Sequence, residues 1–568
     1  MSIKSKETKA CIGKLANNIR AERIDYSSYL ELYSGEENIS NINNINNTVI
    51  YGRRGSGKTH LLKALSEMVL DKYDEDKIFP IYVDLRRIIP IVSPEVENKE
   101  IDALLIFKYL MQEVALNLYS NIPMLLRKNE FDSSNQTSFD EKERRLNLIF
   151  ESLYLEFDGR ELKKANDLTV TEEEVKSLSG EFSVAKSPSL KVAASGTVKE
   201  NRQTGRRGHI SVLHITNAIE EIINELDLRF MMILVDEWSE IPREIQPSLA
   251  EIFKKTFSAI NVVTKLAAIP NRTTLGIKTD SKFFGLEEGG DVFGYPLDMR
   301  YVFEVNKNQT RDFFNDLLYK HLSSINKVAI DDLIKKEKKS KESFINLIFA
   351  NVALNEILIA CAGIPRDFMN LFINSYDRFM LSSSSTAARI SVKNLRQANA
   401  EWYESDKKEQ VDKNEVEKRL LTEIVKEVIE KKKSMHFLVP EKYSSNKHIQ
   451  NLIDLRVIHL RKSGYSHKDH PGVSYNVYSV DYGCYNSLNI TKTKLDTSIL
   501  NDLNIKELRD IRRISLEDNF FQSFMMEIGE AFRCPHCKGA IDVNHPAYAK
   551  RKLCNHCFEQ VEGNPSGS

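Results

Sequence analysis

A glycine-rich loop between a short apolar run and a helical segment constrains the fold of this chain more than any other feature. Residues 52–59 read GRRGSGKT, after the β-prone run TVIY and before HLLKALSEMVLD. The pattern G-x-x-x-x-G-K-[ST] between a strand and a helix is typical of a loop whose backbone N–H groups surround nucleotide phosphates. The alternative, a glycine-rich turn with a surface lysine, requires neither the strand nor the amphipathic helix.

Each residue type in this loop has its own predicted role. Glycines let the backbone approach phosphate oxygens that side chains would keep away, and the next helix points its first N–H groups at them. Lys58 is expected to reach the β- and γ-phosphates of ATP, and Thr59 to bind Mg²⁺ through its hydroxyl. The predicted nucleotide-binding residues are Gly52, Gly55, Ser56, Gly57, Lys58, Thr59 and His60.

An apolar run that ends in two carboxylates, FMMILVDE at residues 230–237, predicts a second part of the same site. Asp236 is positioned to hold Mg²⁺, and Glu237 to orient and deprotonate the attacking water. A buried strand ending in an acid is common by itself, but here it follows a phosphate loop. The acidic pair favours hydrolysis, because nucleotide binding alone does not need the second carboxylate.

The order of apolar segments predicts an α/β P-loop NTPase fold, a parallel sheet sandwiched by helices. Short apolar runs at 48–51, 79–85, 230–235 and 263–269 alternate with helical patterns such as 104–118 and 244–259. A chain of 568 residues is too long for one core and predicts about three or four domains. We expect a nucleotide-binding domain at 1–306 with an insertion at 156–207, an all-α lid at 307–411, a winged-helix domain at 412–492, a helical connector at 493–530 and a zinc ribbon at 531–560.

The phosphate loop, the MILVDE strand and the segment Gly363-Ile364-Pro365-Arg366 together resemble the AAA+ ATPases, within them the origin-recognition and archaeal replication-initiator branch. The resemblance implies that Arg366 is the second sensor of the γ-phosphate and that Asn271 is the first, with Arg272 as an alternative. It also implies an arginine finger for a neighbouring subunit of a homo- or hetero-oligomer. Arg300 is preferred for this role over Arg272 and Arg243.

Two features depart from that branch: the long span between Thr59 and Asp236, and the cysteine-rich tail. Bacterial relatives with initiator-like cores are often found in anti-phage defence systems, and the chain resembles those as well. The resemblance implies an ATPase that associates with DNA and switches or assembles a protein effector encoded nearby. A replication or plasmid initiator remains an alternative, because it shares all of this chemistry.

The predicted winged-helix domain carries a local excess of positive charge. Residues 431–475 contain nine Lys or Arg against three acids, whereas the whole chain has a net charge of -1. A helix would present base-contacting side chains to a major groove, and the wing would contact phosphates. The predicted DNA-binding residues are Lys447, His448, Gln450, Asn451, Arg461 and Lys462. The alternative is a solvated basic face on a domain that binds only protein, which makes the chain a nucleotide-dependent scaffold.

Four cysteines near the C-terminus have the spacing of a zinc ribbon. Cys534-x2-Cys537 and Cys554-x2-Cys557 form two knuckles that can give tetrahedral thiolate coordination of Zn²⁺. Because the four thiolates fill the coordination shell, the metal is expected to be structural, and the nearby histidines to be neighbours. A redox pair or metal-free thiols are the alternatives.

No apolar run approaches the roughly 20 residues that span a bilayer, and the first 20 residues lack the apolar centre of a signal peptide. We therefore expect a cytoplasmic protein without a membrane partner.

Overall fold

The computed structural model of the chain describes residues 3–16, 29–89, 99–126, 136–153, 168–171, 207–210, 212–278, 282–382, 388–432, 434–466, 472–487 and 514–561. These form two compact units. The sheet unit comprises Ile24–Arg53 and Gly57–Leu297, and the helical unit comprises Met1–Arg23, Arg54–Ser56 and Asp298–Ser568. Most of the predicted 156–207 insertion and residues 493–513 of the predicted connector lie outside the described residues. In the described part of the chain, no helix is both long enough and apolar enough to cross a membrane.

A five-stranded parallel sheet organises the sheet unit. Numbered along the chain, the strands of this unit are β1 (Thr48–Tyr51), β2 (Ile78–Asp84), β3 (Leu168–Thr171), β4 (Arg207–Ile210), β5 (Phe230–Asp236), β6 (Val262–Ala268), β7 (Gly276–Lys278), β8 (Phe283–Gly285) and β9 (Phe293–Pro296). The main sheet has the order β2-β5-β6-β1-β9, while β3–β4 and β7–β8 form separate two-stranded pairs. The four predicted strand segments are thus confirmed as neighbours in one parallel sheet.

Helices flank this sheet, and strands β1, β2, β5 and β6 are mostly buried. After α1 (Lys6–Leu15), which belongs to the helical unit, they are α2 (Tyr29–Leu32), α3 (Glu36–Ile42), α4 (Lys58–Asp71), α5 (Tyr73–Asp76), α6 (Lys99–Leu125), α7 (Gln136–Ser152), α8 (Val212–Glu225) and α9 (Gln246–Phe257). Along β5, Ile233 joins the core on one face and Leu234 the core on the other. This alternation explains the continuous apolar runs, since a parallel strand is covered on both sides.

One strand residue breaks the apolar pattern. The Lys265 side chain on β6 is fully buried. Its Nζ donates hydrogen bonds to the carbonyl oxygens of Asn46 (2.7 Å) and Asn44 (3.0 Å), with Thr48 Oγ1 at 3.2 Å. The ammonium group thereby holds the asparagine-rich segment that leads into β1.

Replacing Lys265 with Met is expected to destabilise the sheet unit by about 2–4 kcal/mol, because buried carbonyl oxygens lose their donors. Urea unfolding in a Trp402→Phe background, followed by fluorescence of the buried Trp238, measures this effect. The control is Lys255→Met, at an exposed position on α9, with an expected cost below about 0.5 kcal/mol. Equal midpoints for the two variants would contradict the role of Lys265.

The helical unit begins with α1, although the sequence pattern assigned residues 1–306 to the nucleotide-binding domain. The helix packs Cys11, Ile12 and Leu15 into the core of this unit. Its later helices are α10 (Lys307–Lys336), α11 (Ile345–Ile348), α12 (Asn351–Ala360), α13 (Pro365–Leu381), α14 (Val392–Trp402) and α15 (Glu409–Asp412), with a π-helical segment, Tyr403–Lys408, between the last two.

A three-stranded antiparallel sheet follows within the same unit. Its strands are β10 (His436–Pro440), β11 (Ile458–Ser466) and β12 (Ser474–Val480), in the order β10-β12-β11. The helices beside it in sequence are α16 (Glu415–Ile424), continued by the π-helical Val425–Lys431, then α17 (Glu441–Ser444), α18 (Lys447–Asp454) and α19 (Tyr482–Ser487). The described chain ends with α20 (Asp518–Glu527), the hairpin of β13 (Ala531–Arg533) and β14 (Ala540–Asp542), and α21 (Pro546–Arg551).

Candidate functional site

The predicted phosphate loop follows β1, next to β6 in the sheet. The first residue of the loop is bonded to the end of β6, since the Gly52 N–H donates a hydrogen bond to the carbonyl oxygen of Ala268 over 3.1 Å. Gly55 and Gly57 have φ angles of 85° and 93°, which side chains strongly disfavour. Gly57 caps α4, so the first N–H groups of that helix, which have no partner within the helix, lie where the loop ends. The glycine pattern therefore reflects backbone conformation as predicted.

Lys58 lies inside the loop. Its side chain is buried, and Nζ donates to the carbonyl oxygens of Gly52 (2.6 Å) and Arg53 (3.3 Å). A lysine ammonium binds phosphate oxygens more strongly than neutral carbonyl oxygens, because phosphate oxygens carry charge. The position of Lys58 thus suits the anion-binding role expected from the sequence.

Asp236 ends β5, close to the start of α4, and its side chain is 0% exposed. Oδ2 accepts a hydrogen bond from the Tyr82 hydroxyl over 2.8 Å. Burial raises the pKa of Asp236, against the opposing effects of hydrogen bonds from Thr59 and Tyr82. A buried carboxylate beside the Thr59 hydroxyl is an oxygen ligand set that fits Mg²⁺, and a divalent cation there would favour the charged carboxylate.

Glu237 follows in a left-handed backbone conformation, with φ of 59°. Such a conformation is costly for a residue with a side chain, and residues held in strained conformations cluster at functional sites. Burial, and secondly the charge of Asp236, raises the pKa of the Glu237 carboxyl group. Arg86 lies 3.7 Å from Glu237 Oε1. The geometry gives a partly buried carboxylate suited to accept a proton.

A second hydrogen-bond network links the segments that follow β5 and β6. The backbone N–H of Ile269 donates to Ser239 Oγ (2.5 Å), which also lies 3.0 Å from Thr273 Oγ1. Gln246 Nε2 donates to the carbonyl oxygen of Arg272 over 2.9 Å. These bonds hold the short 3₁₀ helix Pro270–Arg272, and with it the half-buried Asn271, at the same edge of the sheet as Asp236.

The other predicted nucleotide-site residues are distributed as follows. His60 lies in the first turn of α4, with Nε2 donating to the carbonyl oxygen of Tyr29 over 2.9 Å. Arg366 is the second residue of α13, and its N–H donates to the Gly55 carbonyl oxygen over 3.2 Å within the helical unit. Among the arginine-finger candidates, Arg300 lies half-buried in the 3₁₀ helix Asp298–Tyr301, and Arg243 is exposed.

Two of the predicted DNA-binding residues are buried within the protein. Arg461 is 3% exposed, and its guanidinium contacts Glu304 Oε2 (3.3 Å) and Ser479 Oγ (2.8 Å). His448 lies between two carboxylates, with Glu417 Oε1 2.9 Å from Nδ1 and Glu530 Oε1 3.3 Å from Nε2. Arg461 pairs with Glu304 inside the fold and His448 is enclosed by Glu417 and Glu530, so this conformation presents neither side chain to DNA phosphates.

The other predicted DNA-binding residues lie closer to the surface. Asn451 Nδ2 donates to Glu417 Oε1 over 2.8 Å, and Gln450 Nε2 donates to the Ser444 carbonyl oxygen. Lys447 is exposed but forms an ion pair with Glu530, at 2.5 Å. Lys462, on β11, is exposed.

The four C-terminal cysteines converge. Their Sγ atoms all lie within 4.8 Å of one another, with Cys534–Cys557 at 3.8 Å and Cys537–Cys554 at 3.7 Å. Tetrahedral coordination with a Zn–S distance of about 2.3 Å places sulfur atoms about 3.8 Å apart. The donor set therefore fits a four-thiolate metal ion.

Several residues of the site were not found from the sequence. Tyr82, Arg86, Ser239 and Gln246 reach it from three separate segments. Only Tyr82 had a sequence signal, as a polar side chain in an apolar strand near its carboxyl end. The others depend on the order of strands in the sheet, which periodicity does not reveal.

Comparison with known proteins gives a family match. A model of the family described as ORC-CDC6-like matches residues 15–352. No curated protein matches the chain significantly. A solved structure similar to this chain is that of the Aeropyrum pernix ORC1 protein in complex with DNA, with 11% sequence identity, a TM-score of 0.26, and coverage of 85% of this chain and 98% of that chain. Because the family model spans more than half of the 568 residues, the chain belongs to the ORC-CDC6-like family.

Proposed function

We propose that the protein is an AAA+ ATPase that binds ATP with Mg²⁺ and hydrolyses it to ADP and phosphate. The observation that carries this proposal is the meeting of the phosphate loop and the Asp236-Glu237 pair at one edge of a parallel sheet. Ligands of open α/β sheets bind at the carboxyl ends of the strands. Members of the ORC-CDC6-like family are AAA+ ATPases, which supports the same activity here.

Different residues of the chain bind the phosphates, hold the metal and accept the proton in this reaction. Lys58 and the loop N–H groups bind and orient the phosphates, and Thr59 and Asp236 would hold Mg²⁺. When bound, the metal neutralises charge that develops on the transferred phosphoryl group. Glu237 orients a water molecule and takes its proton, and its raised pKa makes it a better proton acceptor than an exposed glutamate.

Three further residues complete the proposed cycle. Asn271 would sense the γ-phosphate from the sheet edge, and Arg366 from the start of α13. Arg300 would act as the arginine finger toward a neighbouring subunit, which requires a homo- or hetero-oligomer. Arg272 and Arg243 are the alternatives for the finger.

We also propose that residues 412–492 form a winged helix that associates with DNA, in which α18 is the recognition helix and the β11–β12 hairpin is the wing. The succession α16, β10, α17, α18, β11, β12 supports this assignment. The exposed cations Lys447 and Lys462 are its candidate phosphate contacts. The alternative is a nucleotide-dependent protein scaffold without DNA binding.

The C-terminal thiolates support a structural zinc ribbon at 531–560, since their spacing matches tetrahedral coordination.

We further propose that the ATPase switches or assembles an effector protein encoded nearby, in prokaryotic defence against phage or mobile DNA. A replication or plasmid initiator is the competing biological role. Two features that a minimal initiator does not need, the 156–207 segment and the cysteine-rich tail, favour the defence role over the initiator role.

Duplex DNA is expected to stimulate ATP turnover and to bind with steep salt dependence, about 0.9 in the log-log slope for each phosphate neutralised. Fluorescence anisotropy of a labelled duplex measures the slope. Lys462→Ala is expected to lower it by about one, whereas Lys393→Ala, an exposed position on α14, leaves it unchanged. Turnover indifferent to DNA, with no binding at low salt, would favour the scaffold.

A further inference from the structure

The surface proposed to bind DNA is already covered in this structure, by a segment of the same chain. Residues 514–530 contain four acids, Glu517, Asp518, Glu527 and Glu530, and no lysine or arginine. The segment includes α20 and leads directly into the cysteine-bearing hairpin. It lies against α16, α17 and α18, which carry the proposed recognition surface.

Backbone bonds hold the start of this segment. The Leu438 N–H donates to the carbonyl oxygen of Ile514, and the Leu516 N–H donates to that of Leu438, each over 2.9 Å. Residues 514–516 thereby extend the three-stranded sheet along the edge of β10, in a parallel arrangement. An exposed strand edge pairs readily with an added strand, so the segment uses a common docking mode.

Aromatic side chains then fix α20 over the helices. Phe521 is buried and stacks on Tyr443 of the α17 end, with ring centroids 4.2 Å apart. Phe524 is buried and forms a T-shaped contact with the His448 ring on α18, with ring centroids 6.0 Å apart. Helix α20 therefore covers the N-terminal part of α18, which is the part of a recognition helix that contacts base edges.

The acids of the segment face the cations of this surface. Asp518 lies 2.7 Å from Lys442 on α17, Glu530 lies 2.5 Å from Lys447 on α18, and Glu527 lies 3.5 Å from Arg419 on α16. All three cations are more than half exposed, and exposed ion pairs contribute little to stability. Apolar burial accounts for the docking, while the carboxylates pair with side chains of the type that binds DNA phosphates.

We propose that residues 514–530 are an intramolecular competitor of duplex DNA for the α16–α18 surface, so that DNA binding requires the segment to leave it. This inference rests on the proposed DNA association. It predicts that removing the acidic charges, without disturbing Phe521 and Phe524, increases DNA affinity. It also predicts that bound DNA displaces α20.

The test uses the full chain with Asp518→Asn, Glu527→Gln and Glu530→Gln combined. The expected result is about three- to tenfold tighter binding of a labelled duplex at fixed salt, because the variant loses three exposed ion pairs and keeps the apolar contacts. The log-log slope is expected to be steeper by about two to three, one phosphate for each exposed cation. The matched control combines Asp332→Asn, Glu337→Gln and Glu342→Gln, three exposed acids of the same unit that give the same charge change. The control is expected to bind within about twofold of the wild type.

Hydrogen exchange of the wild type provides the second measurement. Adding duplex DNA is expected to increase amide exchange in residues 518–527. Unchanged exchange on DNA binding, or a triple variant that binds like the control, overturns the competition while leaving DNA association intact. Absence of binding by the wild type and by both variants at low salt overturns both proposals.

Discussion

Replacing Glu237 with Gln will lower the rate of ATP hydrolysis by about 100-fold or more, the range typical for loss of a general base, while ATP affinity stays within about threefold. The amide keeps the shape of the side chain and its hydrogen-bonding reach, but it does not accept a proton from water. Lys58, Thr59 and Asp236 are unchanged, so nucleotide binding persists. A 100-fold loss corresponds to about 2.7 kcal/mol of transition-state stabilisation.

Glu244→Gln supplies the control, because this exposed acid lies seven positions further along the chain and makes the same chemical change. Turnover by phosphate release and binding of a fluorescent ATP analogue are measured for both variants. A Glu237→Gln protein that hydrolyses ATP at the control rate would assign the base to another residue. Equal loss of binding and turnover would indicate a structural defect at the left-handed turn.

Removal of the metal from the four-cysteine cluster is expected to unfold residues 531–560 and to leave ATP binding intact. The hydrophobic core of this segment is small, and consists of Cys534, Ile541, Tyr548, Cys554 and Val561. Domains of fewer than about 40 residues usually need a metal or disulfides to fold, and structural zinc contributes about 10–16 kcal/mol in zinc-finger peptides. Limited proteolysis after chelation, with metal content per chain, measures the effect.

Cys537→Ser is expected to abolish stoichiometric zinc binding, whereas His536→Ala, at the adjacent exposed position, retains one zinc per chain. Loss of zinc from the His536 variant would place histidine in the coordination shell. A chelated protein whose C-terminal segment resists protease would show that the cysteine cluster does not depend on metal for its fold.

Local patterns were sufficient for the phosphate site. Successive side chains of β1, β2, β5 and β6 point to opposite faces of the sheet and are buried on both, which explains the apolar runs. Each predicted run matches an observed strand to within one residue at either end. Gly57 has a positive φ angle, which glycine adopts readily, and the helix-forming residues after it begin α4. The loop and the acidic strand end were therefore predictable from short segments of sequence.

Contacts between distant segments were not predictable in the same way. Arg461 was predicted to contact DNA because it lies in a basic stretch, but it pairs with Glu304, 157 residues earlier in the chain. His448 was also predicted to contact DNA, but it lies beside Glu417 and Glu530, which are likewise distant in the sequence. The local excess of positive charge in residues 431–475 does not show which acids the fold brings beside each basic residue, and the four acids of residues 514–530 lie outside that stretch.

The placement of α1 has a consequence for synthesis of the chain. Its apolar residues, Cys11, Ile12 and Leu15, share a core with Phe314 and Leu318 of α10. A ribosome adding about 5–20 residues per second needs about 15–60 s to make the intervening chain. The sheet unit, which runs to Leu297, is completed only at the end of that interval, and α1 lacks its partner helix throughout it. The apolar face of α1 is therefore a site for chaperone binding until residues beyond 307 emerge.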